Sequence, residues 1–440
     1  MAQNLPLKIG LLGLGTVGSG VVQILTQNRE SITTKLGREL LITKALVRNP
    51  DLPRAVDCAS FELTTSAKDI INDPDIDIIV EVMGGIEPAR SYIIEALLAG
   101  KHVVTANKDL LALHGRELLQ TATEAGKDLL FEASVAGGIP IISTLKQDLA
   151  GNHISHLAGI INGTTNYILT AMANQGRDYA EVLKEAQELG YAESDPSADV
   201  DGLDAARKLA ILASIAFGSR VTVNDVYVEG ISRLSKIDLA YAKELDATIK
   251  LLAIAREEDD RIEVRVHPAF LPNNHPLSAV NGVFNAIYVE GDAVGETMFY
   301  GRGAGSLPTG SAVVADLMQV AIKMETGANG RLNCTCYRQL EIKPVEEFHS
   351  AFYVRLQVKD EPRVLASLAH MFAEANISFA SIIQKPRPNK EAELVLVTHP
   401  CNEGQLRQAV EYLKVYSKVL TISNIIRFEG GENNGLARSH

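Results

Sequence analysis

With 440 residues the chain is too long for one ordinary core, and two or three domains are expected. Hydrophobic residues at 46% and charged residues at 22% make a globular mixture rather than a disordered one. Forty-two basic against 54 acidic side chains leave a net charge of −12, which argues against nucleic acid as a partner, since neutralising phosphates needs clustered Lys and Arg. The N-terminus MAQNLPLKIG lacks a basic segment followed by a long apolar one, and the most apolar helical stretch, Leu209 to Gly218, is far short of a bilayer span. A cytoplasmic protein without membrane association is expected. The four cysteines, Cys58, Cys334, Cys336 and Cys401, are read as ordinary thiols of a reducing compartment, because Cys-x-Cys is too tight for the usual zinc spacing.

Residues 7 to 132 alternate between strands and helices. Leu7–Leu12 is a short apolar strand, followed by a glycine-rich turn and a helix to about Gln27. Glu39–Val47 is a second strand, and Asp77–Val82 a third of the continuous apolar type found where both sheet faces are covered. Helix Pro88–Ala99 starts with Pro and stops at Gly100. Strand His102–Thr105, helix Leu110–Ala125 and strand Leu129–Phe131 follow. This alternation predicts a Rossmann-type, doubly wound parallel sheet in an α/β protein.

From residue 133 to 307 helices near 139–149, 165–175, 179–189 and 200–217 mix with strands near 156–161, 226–230, 261–266 and 283–290, as in an inserted α+β domain. A helix near 308–325 could complete the first domain, and residues 326–347 read as a linker. Residues 348–428 repeat strand, helix, two strands, helix and strand, a ferredoxin-like βαββαβ unit. The polar tail GENNGLARSH is expected to be disordered.

Gly13-Leu14-Gly15-Thr16-Val17-Gly18 fits GxGxxG with a strand before it and a helix after it. The first Gly permits the tight turn, the second lets a pyrophosphate approach the backbone, and the third lets the helix pack on the sheet. After the second strand comes Arg48 rather than the Asp or Glu that would take ribose hydroxyls. Arg48 suits a 2′-phosphate, so NADP(H) is preferred over NAD(H); the alternative is a solvated loop arginine.

Two lysines stand where such a sheet places its chemistry. Thr105-Ala106-Asn107-Lys108 lies past the carboxyl end of a strand. In the run from Gly190 to Lys208, Asp204 and Lys208 are four residues apart on one helix face, behind a loop bearing Glu193, Asp199 and Asp201. Singly, these are ordinary helix-start acids and a surface ion pair. Together, Ala186, Gly190-Tyr191-Ala192, Asp195-Pro196, Asp199-Val200, Gly202, Asp204 and Lys208 match the homoserine dehydrogenase signature, and GLGTVG, Thr105–Lys108 and Ile161-Asn162-Gly163-Thr164-Thr165-Asn166 resemble the same family over residues 7 to 325.

The resemblance implies interconversion of L-homoserine and L-aspartate 4-semialdehyde by hydride transfer with NAD(P), in threonine, methionine and isoleucine biosynthesis. It implies Lys208 as the proton-transfer group and Lys108 as a second lysine touching substrate and cofactor. Glu193 and Asp204 would bind the substrate, with Asp199 in support; Gly190, Gly303 and Gly305 would lie near the cofactor with Thr16 and Val17. Glu132, Val135, Gly137 and Ile139 match a loop that holds a sodium ion, mostly through backbone carbonyls.

Residues 348–428 resemble an ACT domain, a module that pairs with itself and binds amino acids. Asp360-Glu361-Pro362-Arg363-Val364-Leu365 falls at its first strand-to-helix turn, with Arg363 where Gly is common. L-Threonine is the expected effector, and a homodimer or tetramer the expected assembly; the alternative is a pure dimerisation module. Removing the chain beyond about residue 345 is expected to spare activity and abolish inhibition. Two rivals remain. A different semialdehyde reductase, such as an aspartate-semialdehyde dehydrogenase, needs a nucleophilic Cys, and none lies in residues 133–307. An inactive NADPH or amino-acid sensor would not need Lys108, Glu193, Asp204 and Lys208.

Overall fold

A computed structural model describes residues 5–330 and 334–430; the tail 431–440, expected to be disordered, lies outside the described residues. The chain forms two compact units, the first from Met1–Leu157, Arg207–Val226 and Phe284–Gln339, the second from Ala158–Ala206, Tyr227–Val283 and Leu340–His440.

The first unit opens with β1 (Leu7–Leu12), α1 (Thr16–Gln27), α2 (Arg29–Leu36), β2 (Leu40–Leu46), β3 (Glu62–Thr64), α3 (Lys68–Ile71), β4 (Ile78–Glu81), α4 (Ala89–Leu98), β5 (His102–Thr105), α5 (Lys108–Glu124) and β6 (Leu129–Leu130). The strands form a six-stranded sheet in the order β3-β2-β1-β4-β5-β6, every pairing parallel. β4 and β5 are buried at every position, as strands covered on both faces must be. The order reverses between β1 and β4, the switch point outside whose carboxyl ends such sheets bind ligands.

β7 (Ile154–Ile160) carries the chain into the second unit, where α6 (Gly163–Gln175), α7 (Tyr179–Glu188) and α8 (Ser197–Val200) follow. It returns to the first unit within α9 (Leu203–Ala216). β8 (Tyr227–Val228), α10 (Lys236–Glu244), β9 (Ala247–Glu258) and β10 (Arg261–Pro272) belong to the second unit. β11 (Phe284–Gly291), β12 (Gly295–Arg302) and α11 (Ser306–Thr326) belong to the first. In α11, Val313, Leu317 and Val320 join the core of Leu7, Ile9 and Val21, so this late helix packs on the nucleotide-binding sheet.

The helix expected near 139–149 is reduced to a π-helical turn, Thr144–Asp148. β9, β12 and α10 were not anticipated. β9 and β10 pair along their whole length across Asp259 and Asp260, both left-handed (φ 51° and 56°), as a two-residue hairpin with acceptable αL residues requires. The second half of the expected linker is pinned. The Arg338 amide donates to the Gly218 carbonyl at 2.8 Å, and β13 (Glu341–Ile342) pairs with β10.

The last segment contains β14 (His349–Ser350), β15 (Phe352–Lys359), α12 (Val364–Glu374), β16 (Phe379–Arg387), β17 (Glu391–Thr398), β18 (Cys401–Asn402), α13 (Glu403–Val415) and β19 (Val419–Phe428). Its four long strands run β19-β15-β17-β16, antiparallel, and two helices complete βαββαβ. It is not a free appendage. β19 continues onto β10 (Ala269 opposite Arg427, Phe270 opposite Phe428), and Phe270 stacks on Phe428 with ring centroids 4.7 Å apart. Arg355 of β15 donates through Nε to Asp238 Oδ1 of α10 at 2.8 Å, with both side chains buried.

Candidate active site

The glycine turn sits at the switch point. Gly13 has φ +108°, and a Cβ there would lie 2.9 Å from the Val82 carbonyl oxygen. A Cβ on Gly18 would run into the Gly13 carbonyl. Around Gly15, by contrast, nothing lies within 4 Å of a Cβ position. Gly15 caps α1 without a side-chain hydrogen bond, and the first turn, starting at Thr16 and Val17, holds no acid. An amide-lined opening at a helix N-terminus suits an anion, so the turn fits a dinucleotide's pyrophosphate. Arg48 is exposed just beyond β2.

Glu81, at the carboxyl end of β4, is fully buried, and burial pushes its carboxyl above the usual range. It accepts from the Met83 amide at 2.8 Å and from Thr105 Oγ1 at 2.6 Å. Thr105 Oγ1 in turn accepts from the Asn107 amide at 3.0 Å, and Asn107 Oδ1 caps α5 by accepting from the Leu110 amide at 3.1 Å. This chain of bonds fixes where α5 begins, and Lys108 is its first residue. Asp109, the next residue, pairs with Arg207 of α9 at 3.2 Å. The two lysines of interest, Lys108 and Lys208, are the immediate neighbours of that ion pair.

Also in the first unit, a Cβ on Gly137 would lie 2.6 Å from the Gly303 carbonyl oxygen, which brings the 132–139 loop against the Gly303-Ala304-Gly305 turn. Gly305 has φ +122° and starts α11. Ala136 and Gly137 are consecutive left-handed residues (φ 55° and 48°), so the loop bends sharply between Val135 and Ile139. The Glu132 carboxylate accepts from the amides of Ile141, Ile142 and Ser143 at 2.6–2.8 Å and is thus committed to the next turn. Its carbonyl accepts only a long hydrogen bond, from the Val135 amide at 3.5 Å. Among the described residues no group of three or more His, Cys, Asp or Glu could hold a metal ion, so a cation here would depend on carbonyls. Beside the loop, Asp316 is buried and accepts from the Glu132 amide at 2.8 Å; burial, reinforced by the Glu132 charge, holds its carboxyl well above the usual range.

In the second unit, Gly190 is left-handed (φ +74°) just beyond the end of α7, and Glu193 is exposed on the following loop. Asn162 organises the acids. Its Nδ2 donates to Asp199 Oδ1 at 2.7 Å and to Asp204 Oδ2 at 2.9 Å, while its Oδ1 caps α6 by accepting from the Thr165 amide at 2.9 Å. Asp204 is buried in the first turn of α9, and Lys208 follows one turn later on the same helix. Glu81 and Asn162 are the residues that reading for catalytic types overlooks. Asn162 is legible only as part of the Ile161–Asn166 string.

Comparison with known proteins bears on both units. Residues 13–132 match the family model for the homoserine dehydrogenase NAD-binding domain, residues 140–318 that for homoserine dehydrogenase, and residues 352–416 that for the ACT domain. The chain is 46% identical to a homoserine dehydrogenase of Bacillus subtilis over 426 residues, covering 96% of this chain and 98% of the relative. It is 47% identical to one of Synechocystis over 429 residues, covering 96% and 99%. A crystal structure of a homoserine dehydrogenase from Thiobacillus denitrificans superposes with TM-score 0.92 at 44% identity, covering 97% of this chain and 99% of that one. A hyperthermophilic archaeal homoserine dehydrogenase in complex with NADPH matches 72% of this chain and 98% of its own at TM-score 0.62 and 27% identity.

Proposed function

Because the chain belongs to the homoserine dehydrogenase family, we propose that the residues assembled above divide the work of that reaction among themselves. The enzyme interconverts L-homoserine and L-aspartate 4-semialdehyde, and a bound nicotinamide cofactor supplies or accepts the hydride. In the reducing direction the aldehyde carbon gains the hydride and its oxygen gains a proton. Lys208 delivers that proton and takes it back in the oxidising direction. Lys108 orients the reacting end of the substrate. Glu193 and Asp204 bind the amino acid's ammonium and hydroxyl groups, and Asp199 supports them. The observation that carries this reading is the clamp of Asn162 on Asp199 and Asp204, one helical turn before Lys208.

The decisive test is absorbance at the nicotinamide band with homoserine and NADP⁺. Lys208→Met is expected to lower kcat by roughly 10²- to 10⁴-fold, the usual worth of one positioned acid/base, with KM for the cofactor little changed. A variant with near-parental kcat would remove Lys208 from the chemistry.

Gly13, Gly15, Thr16, Val17 and Gly18 cradle the pyrophosphate, while Gly190, Gly303 and Gly305 contribute backbone beside the cofactor. Arg48 receives the 2′-phosphate, so NADP(H) is preferred; the NADPH complex of the archaeal relative supports this. Glu132, Val135, Gly137 and Ile139 would hold a structural Na⁺, mostly through backbone carbonyls, a reading supported by the sharp left-handed bend there. L-Threonine regulates through the turn Asp360–Leu365, where Arg363 is left-handed (φ 74°) at the start of α12. Self-association into a dimer or tetramer is supported by edge strand β12, which leaves Met298 and Tyr300 exposed. Among the described residues no helix is long and apolar enough to cross a membrane, in keeping with a cytoplasmic location.

A further inference from the structure

The second unit contains a cavity of about 1030 Å³, bounded on one side by residues 227–234 and on the other by α13 and β19. Its size is at the upper end of small-molecule sites. Leu234, Leu406, Val410 and Ile422 form an aliphatic wall. Most of the charges lining it are already matched. Arg427 is held by Glu229 and Glu403, Arg407 by Glu346, and Lys414 by Glu411. Two are left over. Asp201 and Arg233 both line the cavity and are exposed, and among the described residues neither forms an ion pair. Ser423 Oγ, on the β19 side, is buried without a hydrogen-bond partner.

We propose that this cavity binds a free α-amino acid or a zwitterion of that size, with its carboxylate on Arg233, its ammonium on Asp201 and its side chain on the aliphatic wall. A simple anion would meet the Asp201 carboxylate, and a simple cation would meet the Arg233 guanidinium; a molecule carrying both charges offers each its opposite. The site is separate from the Asp360–Leu365 turn.

Occupancy is transmitted to the substrate acids. The Ile231 amide donates to the Val200 carbonyl at 2.8 Å, and a Cβ on Gly230 would lie 2.6 Å from Asp201 Cα, so residues 230–231 have no slack against 200–201. A Cβ on Gly202 (φ +85°) would lie 3.1–3.2 Å from the Val228 and Val266 side chains, so a larger residue has little room there. Asp201 stands two residues from Asp199 and three from Asp204, and a ligand that pulls on it displaces both. This coupling rests on the assignment of Asp199 and Asp204 to the substrate; the binding itself does not.

The test is calorimetric titration of the full-length chain with L-valine and with its isostere L-threonine. Isobutylamine, lacking the carboxylate, and isovalerate, lacking the ammonium, serve as controls. At least one amino acid is expected to bind and neither control. Arg233→Gln should weaken binding at least tenfold, and Ser423→Leu, which adds bulk to the cavity wall, should weaken it as well, both without loss of basal activity. Arg363→Gly, at the other turn, should leave this binding intact. Binding unaffected by Arg233→Gln and Ser423→Leu, binding lost only in Arg363→Gly, or no binding by either amino acid would overturn the site. Binding with no change in KM for homoserine would overturn the coupling alone.

Discussion

Asn162→Asp separates the two jobs of one side chain. Its carboxylate can still cap α6, since Asp and Asn are equally good acceptors for the Thr165 amide. What is lost is the NH₂ group that donates to Asp199 and Asp204, and an oxygen with like charge takes its place. Hydrogen bonds to charged partners contribute about 1.5–3 kcal/mol each, and every 1.4 kcal/mol is a factor of ten. Because the two acids act as one clamp, the losses do not simply add. Roughly a 10- to 100-fold fall in kcat/KM for homoserine is expected, carried mainly by KM, with KM for NADPH unchanged. The acid limb of the kcat/KM profile should also move to higher pH, because three crowded carboxylates resist full ionisation. Asn162→Ala, which removes the cap too, should lower the melting temperature as well. If Asn162→Asp kept parental KM and the parental pH profile, Asp199 and Asp204 would not be the substrate's anchors.

Gly15→Ala is expected to fold normally, because nothing crowds its Cβ position, yet to raise KM for the cofactor by blocking the pyrophosphate; Gly18→Ala should fail to fold or lose much stability, because its Cβ meets the Gly13 carbonyl. Thermal melting alongside cofactor titration tells the two apart. Arg48→Asp should shift the kcat/KM ratio from NADPH toward NADH by at least tenfold, and an unchanged ratio would remove Arg48 from the 2′-phosphate. Burial alone would raise the Asp238 carboxyl, but hydrogen bonds from Arg355, Asn424 and Ser235 outweigh it and hold it below the usual carboxylate range. Its contribution to stability is therefore fully present above the unfolded value of about 3.9 and fades as pH falls through the lower folded value. Urea unfolding of Asp238→Asn should show a loss of about 3 kcal/mol at pH 7 that shrinks below about pH 4.

How much the sequence reveals depends on whether the determining residues are near each other along the chain. The glycine turn is legible because strand, turn and helix are contiguous and each glycine answers a local steric demand. The ferredoxin-like unit is legible because its strands and helices keep distinct periods. β9 escapes because its core, Lys250-Leu251-Leu252-Ala253-Ile254-Ala255, is buried throughout, and such a run has no alternation to separate strand from helix. The helix expected at 139–149 is cut short where Glu132 collects three consecutive amides, a contact made across 9 to 11 residues. The Asn162 clamp joins positions 37 and 42 residues apart, and no periodicity announces it. A family signature supplies what spacing cannot, namely which of many acids and lysines converge.

The βαββαβ unit shows the same limit at a larger scale. Read as a sequence it is a detachable regulator, and cutting near residue 345 looks like a clean test of feedback. In the fold, that cut strips Ser350 and Glu429 from Arg265, a fully buried guanidinium, and Arg355 from the buried Asp238. Arg265 would keep only Glu263, at 2.9 Å, and Asp238 would lose its Arg355 partner. Breaking one buried pair costs about 3–5 kcal/mol, already a large part of the roughly 5–15 kcal/mol that keeps a domain folded. A truncated chain that lost inhibition would therefore say little about where an effector binds. The same buried pairs make the unit part of the body that holds Asp199 and Asp204, so whatever ligand it takes acts through packed structure rather than across a hinge. Point variants that leave those pairs intact, such as Arg233→Gln and Arg363→Gly, are the perturbations that can separate regulation from folding.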